Sequence, residues 1–554
     1  LSKAKVSPRF ILKIHSARLR RNNWKLSLTI SQARENNELI SLNDSQMLRW
    51  LDELNNIKNP NIYTEYLKDK IKKLKYDDDI KKTQREIKML LSEIDDLLYK
   101  RDYVCIVIDK ISDFDKLHLN GFELNNKKYV RLLGTTGGVK NETVVFISEK
   151  HAGEIRRRIN NERDETKEFS PAKLEAYKSL TCSASTPVSY PKGICVVHDC
   201  ITHFNSDVIL LDDTDIDQPK MIFKKDELIE LIDSDGYGLG MPSLMERWGS
   251  ELGEDYILPG CVIRNSFCKG AVFCVDFQKF ARDRGIKYIQ DVWGTWHHVH
   301  NIELILTESM LKLWDSYHSI YTYLYNCKKN HYDFAITKAS EENLENVRNM
   351  NYQFLQSYDF TDKDLDELIS PTISEINDIL SGDYRKTILY TKGTHLTNRT
   401  VQHLDSSFAT ALMIDERMKD DPYIQNQINK MINKRINEAK VGVLTVPANY
   451  SLVCGDPYSL CQSMFGIKIT GLLKSGQVYS KYWINSGVYK VSSFRAPMTC
   501  HNNIRLLEVV HDDEMDDFYK YMTTITIFNS WDTSDKAMNG MDKDLINFCP
   551  CKTW

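Results

Sequence analysis

The stretch "DGYGLGMPSLMERWG…LPGCVIRNSFCKGAVFCVDF", residues 235–277, decides how the rest of the chain is read. Asp235-Gly236-Tyr237-Gly238 leads into a short helix. A strand carrying Arg264 follows, then Lys269-Gly270 and a strand apolar enough to be buried. Around it, "GICVVHDC", "SDVILLDD" and "GAVFCVDF" read as short alternating strands, so residues 191–306 form a β block. Residues 307–440 are mostly helical, with Ile424, Ile428, Ile432 and Ile436 four apart. From residue 441 strands return in "VGVLTVPANYSLVC", "GQVYSKYW", "GVYKVSSF", "IRLLEVV" and "TTITIF". Upstream, residues 1–110 read as helical. Ile80, Ile87, Leu91, Ile94 and Leu98 are predicted on one face, which suits a packed surface helix or a helical arm that meets a protein partner. In residues 111–190, "KKYVRLLGTTGGVKNETVVFIS" reads as strand, Gly-rich turn, strand, with Arg131 and Lys140 flanking the turn. The plan is helices, β block, helices, β block: an α+β chain.

At 554 residues the chain is too long for one core, and about three or four domains are expected. Apolar content of 42% with 27% charged residues is that of a soluble globular protein. The net charge of −4 means that any nucleic-acid contact must come from a local basic lining. Apolar runs such as "YVCIVI" fall far short of the ~20 residues that span a bilayer, so no membrane association is expected. The basic opening stretch has no apolar core with a cleavage site, and thirteen cysteines, an odd count, suggest reduced buried thiols and a cytoplasmic setting. "CVVHDCITH" has a zinc-like spacing, but strand alternation sets Cys195 opposite His198 and Cys200, so one tetrahedral site would need a bulge. "WHHVH", residues 296–300, shows no carboxylate partner in the sequence, and "CPC" lacks a second pair.

Two further segments complete the pattern: "VLTVPANYSLVCGDP…LLKSGQVYSKYW" with "GVYKVSSFRAPMTCHNNIRLLEVV", and "TTITIFNSWDTSDKAMNGMDKDLINF". Read in order, the three resemble the two-barrel RNA polymerase superfamily, nearest to single-chain phage and prophage RNA polymerases and to the RNA-dependent polymerases of eukaryotic silencing. The matching residues are Asp235, Gly236, Gly238, Lys269, Gly270, Asp456, Pro457, Gly476, Gln477, Arg495, Pro497, Asp542 and Asp544. The resemblance implies two double-psi β-barrels, residues 191–306 and 441–554, packed face to face and joined by the helical connector 307–440. It implies a DNA-directed RNA polymerase that uses ribonucleoside triphosphates, with RNA templates as the alternative, in the cytoplasm or packaged in a virion.

The chemistry can be argued from the residues as well. Nucleotidyl transfer uses two divalent cations, and Mg²⁺, or Mn²⁺ in its place, prefers hard oxygen ligands. Asp542 and Asp544, alternate residues on a tight turn, point the same way and are the expected metal ligands. Lys269 would offset phosphate charge, and the planar fork of Arg495 suits ribose hydroxyls. Arg131, Lys140, Arg264 and Lys474 are the candidate lining for template and nascent RNA. One departure stands out. The superfamily loop runs Asp-x-Asp-Gly-Asp, and here Leu545 and Ile546 stand where glycine and the third aspartate belong. Substitution of the missing carboxylate by Asp532 or Asp535, impaired catalysis, and a non-catalytic nucleic-acid-binding or virion-internal role all remain open at this stage.

Overall fold

The computed structural model describes residues 9–57, 60–74, 80–134, 143–167, 169–391, 407–541 and 549–552. Among the described residues, the first 110 hold five helices but are not helical throughout. They supply four strands to a seven-stranded sheet ordered Lys25–Leu26, Phe122–Leu124, Lys127–Leu133, Thr143–Ser148, Tyr99–Val107, Arg9–His15 and Leu39–Leu42. The partners of Arg9–His15 lie far along the chain, so local periodicity could not reveal the sheet. The strands flanking the Gly-rich turn do pair antiparallel, inside this sheet. The expected helices stand on it as an antiparallel pair, Pro60–Leu74 and Ile80–Leu98. Tyr63 donates to Glu93 and Lys70 pairs with Glu86 across them. Their seam is Leu67, Ile71, Leu90, Ile94 and Leu98, with Ile87 at its border. Leu91, expected on that face, is exposed, and Leu90 takes its place in the seam.

The two β blocks share one topology. In the first, the six strands in chain order are Ile194–Val197, Tyr237–Gly240, Gly260–Asn265, Cys268–Cys274, Leu304–Thr307 and Phe334–Ala339. In the second they are Leu452–Cys454, Gln477–Tyr479, Lys490–Phe494, Ile504–Val509, Ile525–Phe528 and Cys549–Lys552. Both sheets have the spatial order first, fifth, second, fourth, third, sixth. In both, the successive pairings run parallel, antiparallel, parallel, antiparallel, antiparallel. The first sheet gains a seventh strand, Thr186–Val188. It therefore reaches beyond residues 191–306 at both ends, and Phe334–Ala339 is a strand within the span expected to be the helical connector. "SDVILLDD" is a strand, but it belongs to a separate two-stranded ribbon, Ile201–Asp212 with Lys220–Ile232.

Most of the connector is helical: Asp362–Leu380, Tyr384–Thr391, Ser407–Ile414 and Pro422–Lys440. The last starts as its sequence dictates. Asp421 accepts from the backbone of Tyr423 and Ile424, Pro422 sits in the first turn, and Ile424 and Ile432 face inward. A single apolar core joins the blocks, with Tyr237, Val272 and Phe273 of the first packed with Leu452, Tyr479, Ile525 and Ile527 of the second. No helix among the described residues is long and apolar enough to cross a membrane.

Candidate active site

In the first block the two motifs touch. Tyr237 pairs in parallel with Ala271, so the turn that holds Asp235 adjoins the start of the strand that carries Lys269. Ala271 N donates to Gly236 O at 3.0 Å. A Cβ on Gly270 would lie 2.3 Å from that oxygen, and one on Gly238 would lie 2.2 Å from Ile305 O. Both positions therefore exclude side chains, which is why the motifs carry glycine there. Lys269 and Arg264 stand directly opposite in the hairpin and are both half-buried. Arg264 Nη1 donates to Ile263 O at 2.7 Å.

Asp199 ties the surrounding segments together. Ser234 and Ser309 both donate to its Oδ1 at 2.8 Å, and Gly236 N donates to Ser309 Oγ. Burial pushes the Asp199 carboxyl up, against the pull of those two hydroxyls.

In the second block, Asn539 and Gly540 both adopt left-handed backbone, with φ of 58° and 59°. Met538 and Met541 on either side are wholly buried in the core of the sheet. Arg495 Nη1 donates to Asn539 O at 2.9 Å, and Asn539 Nδ2 donates to Pro497 O at 2.9 Å. Asn503 Nδ2 donates to Ala537 O at 2.8 Å. The Arg-Ala-Pro segment thus grips the turn that runs into Asp542. Asp542, Asp544 and Lys140 themselves lie outside the described residues.

The common topology exposes a residue the sequence analysis missed. Lys269 is second in the fourth strand and faces Arg264; in the second block Arg505 is second in the fourth strand and faces Ser493. Arg495 opens the connection between the third and fourth strands. Arg505 thus holds the same place in its strand as Lys269, although the parallel pairings Tyr237–Ala271 and Gln477–Glu508 differ by one residue in register. The likeness is one of position in the strand order, so no short motif announces it.

The blocks are fastened beside these motifs. Asp456 N donates to Asp233 Oδ2 at 3.0 Å, and a Cβ on Gly455 would lie 2.5 Å from Asp233 O. Asp456 is fully buried, and burial, then the nearby Asp233, push its carboxyl up. Thr202 Oγ1 donates to Ser530 O at 2.7 Å, where the segment leading to the aspartates begins. Asp532 is already engaged: it accepts from the backbone of Gly476 and Ser534 and from Asn529 Nδ2. Burial works the other way, yet these donors hold its carboxyl below the usual range. These contacts engage both of its carboxylate oxygens. Asp535 is buried.

Among the described residues no group of three His, Cys, Asp or Glu could hold a metal ion. Cys195 and Cys200 are core residues, while His198 pairs with Glu308 and His203 with Glu230, so the zinc spacing has no site. His297 does have a carboxylate partner, in Asp291 at 2.7 Å; that carboxylate also accepts from Trp293 N and Thr295 N and so holds a tight turn.

Of the remaining candidate contacts, Arg131 is half-buried and paired with Glu175 at 2.8 Å. It lines a groove of about 700 Å³ with Lys128, Arg156, Arg157 and Lys178, against Glu165 and Glu175. Neither Arg264 nor Lys474 is among the residues of that groove. Lys474 is exposed at the turn before Gln477.

No family model matches the chain. Over 372 residues, 65% of its length, it is 29% identical to the DNA-directed RNA polymerase YonO of Bacillus phage SPbeta, of which 41% is covered. Its fold matches that of the RNA dependent RNA polymerase QDE-1 from Thielavia terrestris with a TM-score of 0.51, covering 82% of this chain and 49% of that one at 13% identity. The first likeness is one of sequence to a phage RNA polymerase; the second, at 13% identity, is one of fold alone. It spans about two fifths of the length of the curated relative it matches.

Proposed function

We propose that the chain is a phage-type, DNA-directed RNA polymerase that joins ribonucleoside triphosphates by two-metal nucleotidyl transfer. The observation that carries this is the gripping of the turn before Asp542 by Arg495, in a sheet whose strand order repeats that of the sheet holding Lys269. Two sheets of one topology, sharing a core, can each offer one wall of a single cleft.

Asp542 and Asp544 supply the hard oxygen donors that suit Mg²⁺ or Mn²⁺, and the ion would lower the cost of ionising the 3′-hydroxyl and of the charge built up on the triphosphate. In the reaction the 3′-oxygen bonds the α-phosphorus, the bond to the β-phosphate oxygen breaks, and pyrophosphate leaves. Lys269 and Arg264 balance phosphate charge. Arg495 presents its remaining donors to the ribose, which distinguishes a ribonucleotide by its second hydroxyl. Arg131, Lys140 and Lys474 bear on template and transcript phosphates.

A second reading is a catalytically impaired nucleic-acid-binding or virion-internal relative. It is favoured by Leu545 and Ile546 in place of glycine and aspartate and by the engagement of Asp532. The test is ribonucleotide incorporation on single-stranded DNA and RNA templates with Mg²⁺ or Mn²⁺, beside an Asp544→Ala variant. Synthesis on DNA that Asp544→Ala abolishes supports the polymerase. Template binding without synthesis under either metal supports the second reading.

A further inference from the structure

The ribbon Ile201–Asp212 with Lys220–Ile232 is rooted between the blocks, where Thr202 and Leu231 are buried. Beyond its root it pairs with no third strand among the described residues. Its register sets Ile209 opposite Phe223 and Leu211 opposite Met221, so all four share one face. They are 68%, 57%, 63% and 79% exposed, respectively. Leu210 and Ile222, on the other face, are less open. A two-stranded hairpin is marginal in water by itself, and an apolar patch rimmed by charge marks a contact surface.

The charges around the patch narrow the occupant. The ribbon holds eight acids and three lysines (Lys220, Lys224 and Lys225), so nucleic-acid phosphates are repelled. The apolar run of the first strand lies between Asp207 and Asp212, and that of the second between Lys220 and Lys224. Edge-to-edge pairing of the first strand with its own copy would set acid against acid, the usual guard against such pairing. Face to face is different. A two-fold axis along the ribbon lays each acid-bordered strand over the lysine-bordered strand of the other copy, so that Ile209 meets Phe223 and Leu211 meets Met221 across the axis. The exposed fractions correspond to roughly 600 Å² per copy, so a two-fold pair would bury about 1,200 Å², the lower edge of specific interfaces.

We propose that this face is an isologous contact through which two copies of the chain dimerise. It does not depend on the polymerase reading.

The test is sedimentation velocity of the full chain across a concentration series, after nuclease treatment and at both low and high salt. A dimer is expected that persists at high salt. Met221→Lys and Phe223→Lys should each weaken it at least about tenfold by bringing a charge into the apolar contact. Leu210→Lys, on the opposite face, should leave it nearly unchanged. Unchanged unfolding midpoints for all three variants separate loss of contact from loss of fold. A chain that stays monomeric at its highest concentration, a dimer that nuclease dissolves, or one that Leu210→Lys weakens as much as Met221→Lys would each overturn the proposal.

Discussion

Asp456 is the place where a single substitution tests what orders the second block beside the join. Its backbone N–H, which reaches Asp233 of the first block, is kept in Asn and Ala variants, while its side chain accepts within the second block. Its Oδ1 accepts from Tyr458 N at 2.9 Å and Tyr519 Oη at 2.8 Å. Its Oδ2 accepts from Ser459 Oγ at 3.1 Å and Leu472 N at 3.0 Å. Asp456→Ala strands two backbone donors at about 1–3 kcal/mol each, while the two hydroxyls can turn elsewhere, so a loss of about 2–6 kcal/mol is expected. Asn keeps one acceptor but points an amide at donors, for a loss of about 1–3 kcal/mol. The pH dependence has a definite sign. The folded Asp456 has a raised pKa, so the native state binds more protons than the unfolded chain between the ordinary and the raised value. Stability from this site therefore falls as pH rises through that window and returns as pH falls. Urea unfolding of wild type, Asp456→Asn and Asp456→Ala across mildly acidic to neutral pH measures both effects. The wild type should gain on the Asn variant as pH is lowered. A cost below about 1 kcal/mol for Ala, or a wild-type-to-Asn difference that does not move with pH, would refute the reasoning.

Three further outcomes follow from the site. Asn539→Gly keeps the left-handed backbone and loses the bond to Pro497, at about 0.5–1.5 kcal/mol; Asn539→Ala adds about 1–2 kcal/mol of backbone strain. In urea unfolding and primer extension, Ala should therefore be the worse of the two. Gly270→Ala forces a methyl against Gly236 O and Met310 and should destabilise by about 1–3 kcal/mol in thermal melts. Glu175→Gln releases Arg131 and should tighten single-stranded DNA binding, whereas Arg131→Gln should weaken it and reduce the salt slope by about one unit. If binding isotherms show neither change, Arg131 serves only to hold Glu175.

What the sequence made legible was the order of chemistry and the character of each stretch. The two β blocks, the isoleucine helix from Pro422 and the hairpin around the Gly-rich turn all carry their signal within about twenty residues, the reach of periodicity and turn chemistry. The glycines of Asp235-Gly236-Tyr237-Gly238 and of Lys269-Gly270 were legible as motifs, and the structure supplies the cause in two backbone oxygens close to where Cβ atoms would lie. The strands Arg9–His15 and Tyr99–Val107 were hidden because their pairing is long-range and helices separate them. "SDVILLDD" has the alternation of a barrel strand, and only its exposure assigns it to a free-standing ribbon. Asp456 matched a superfamily motif, yet its observed work is to cap a helix and fasten two sheets. Arg505 could be recognised only after the shared strand order was known.

The central claim is that motif residues from both blocks surround one metal site. Fe²⁺ in place of Mg²⁺, with peroxide and ascorbate, generates hydroxyl radicals that cut the backbone near the bound ion, and the fragments locate it. With template and nucleotide present, the account predicts cuts around residues 540–545 and 495–497 of the second block together with cuts around 235–236 and 269–270 of the first, all lost in Asp542→Asn. Cuts confined to residues 540–545, with none near Lys269, would contradict it.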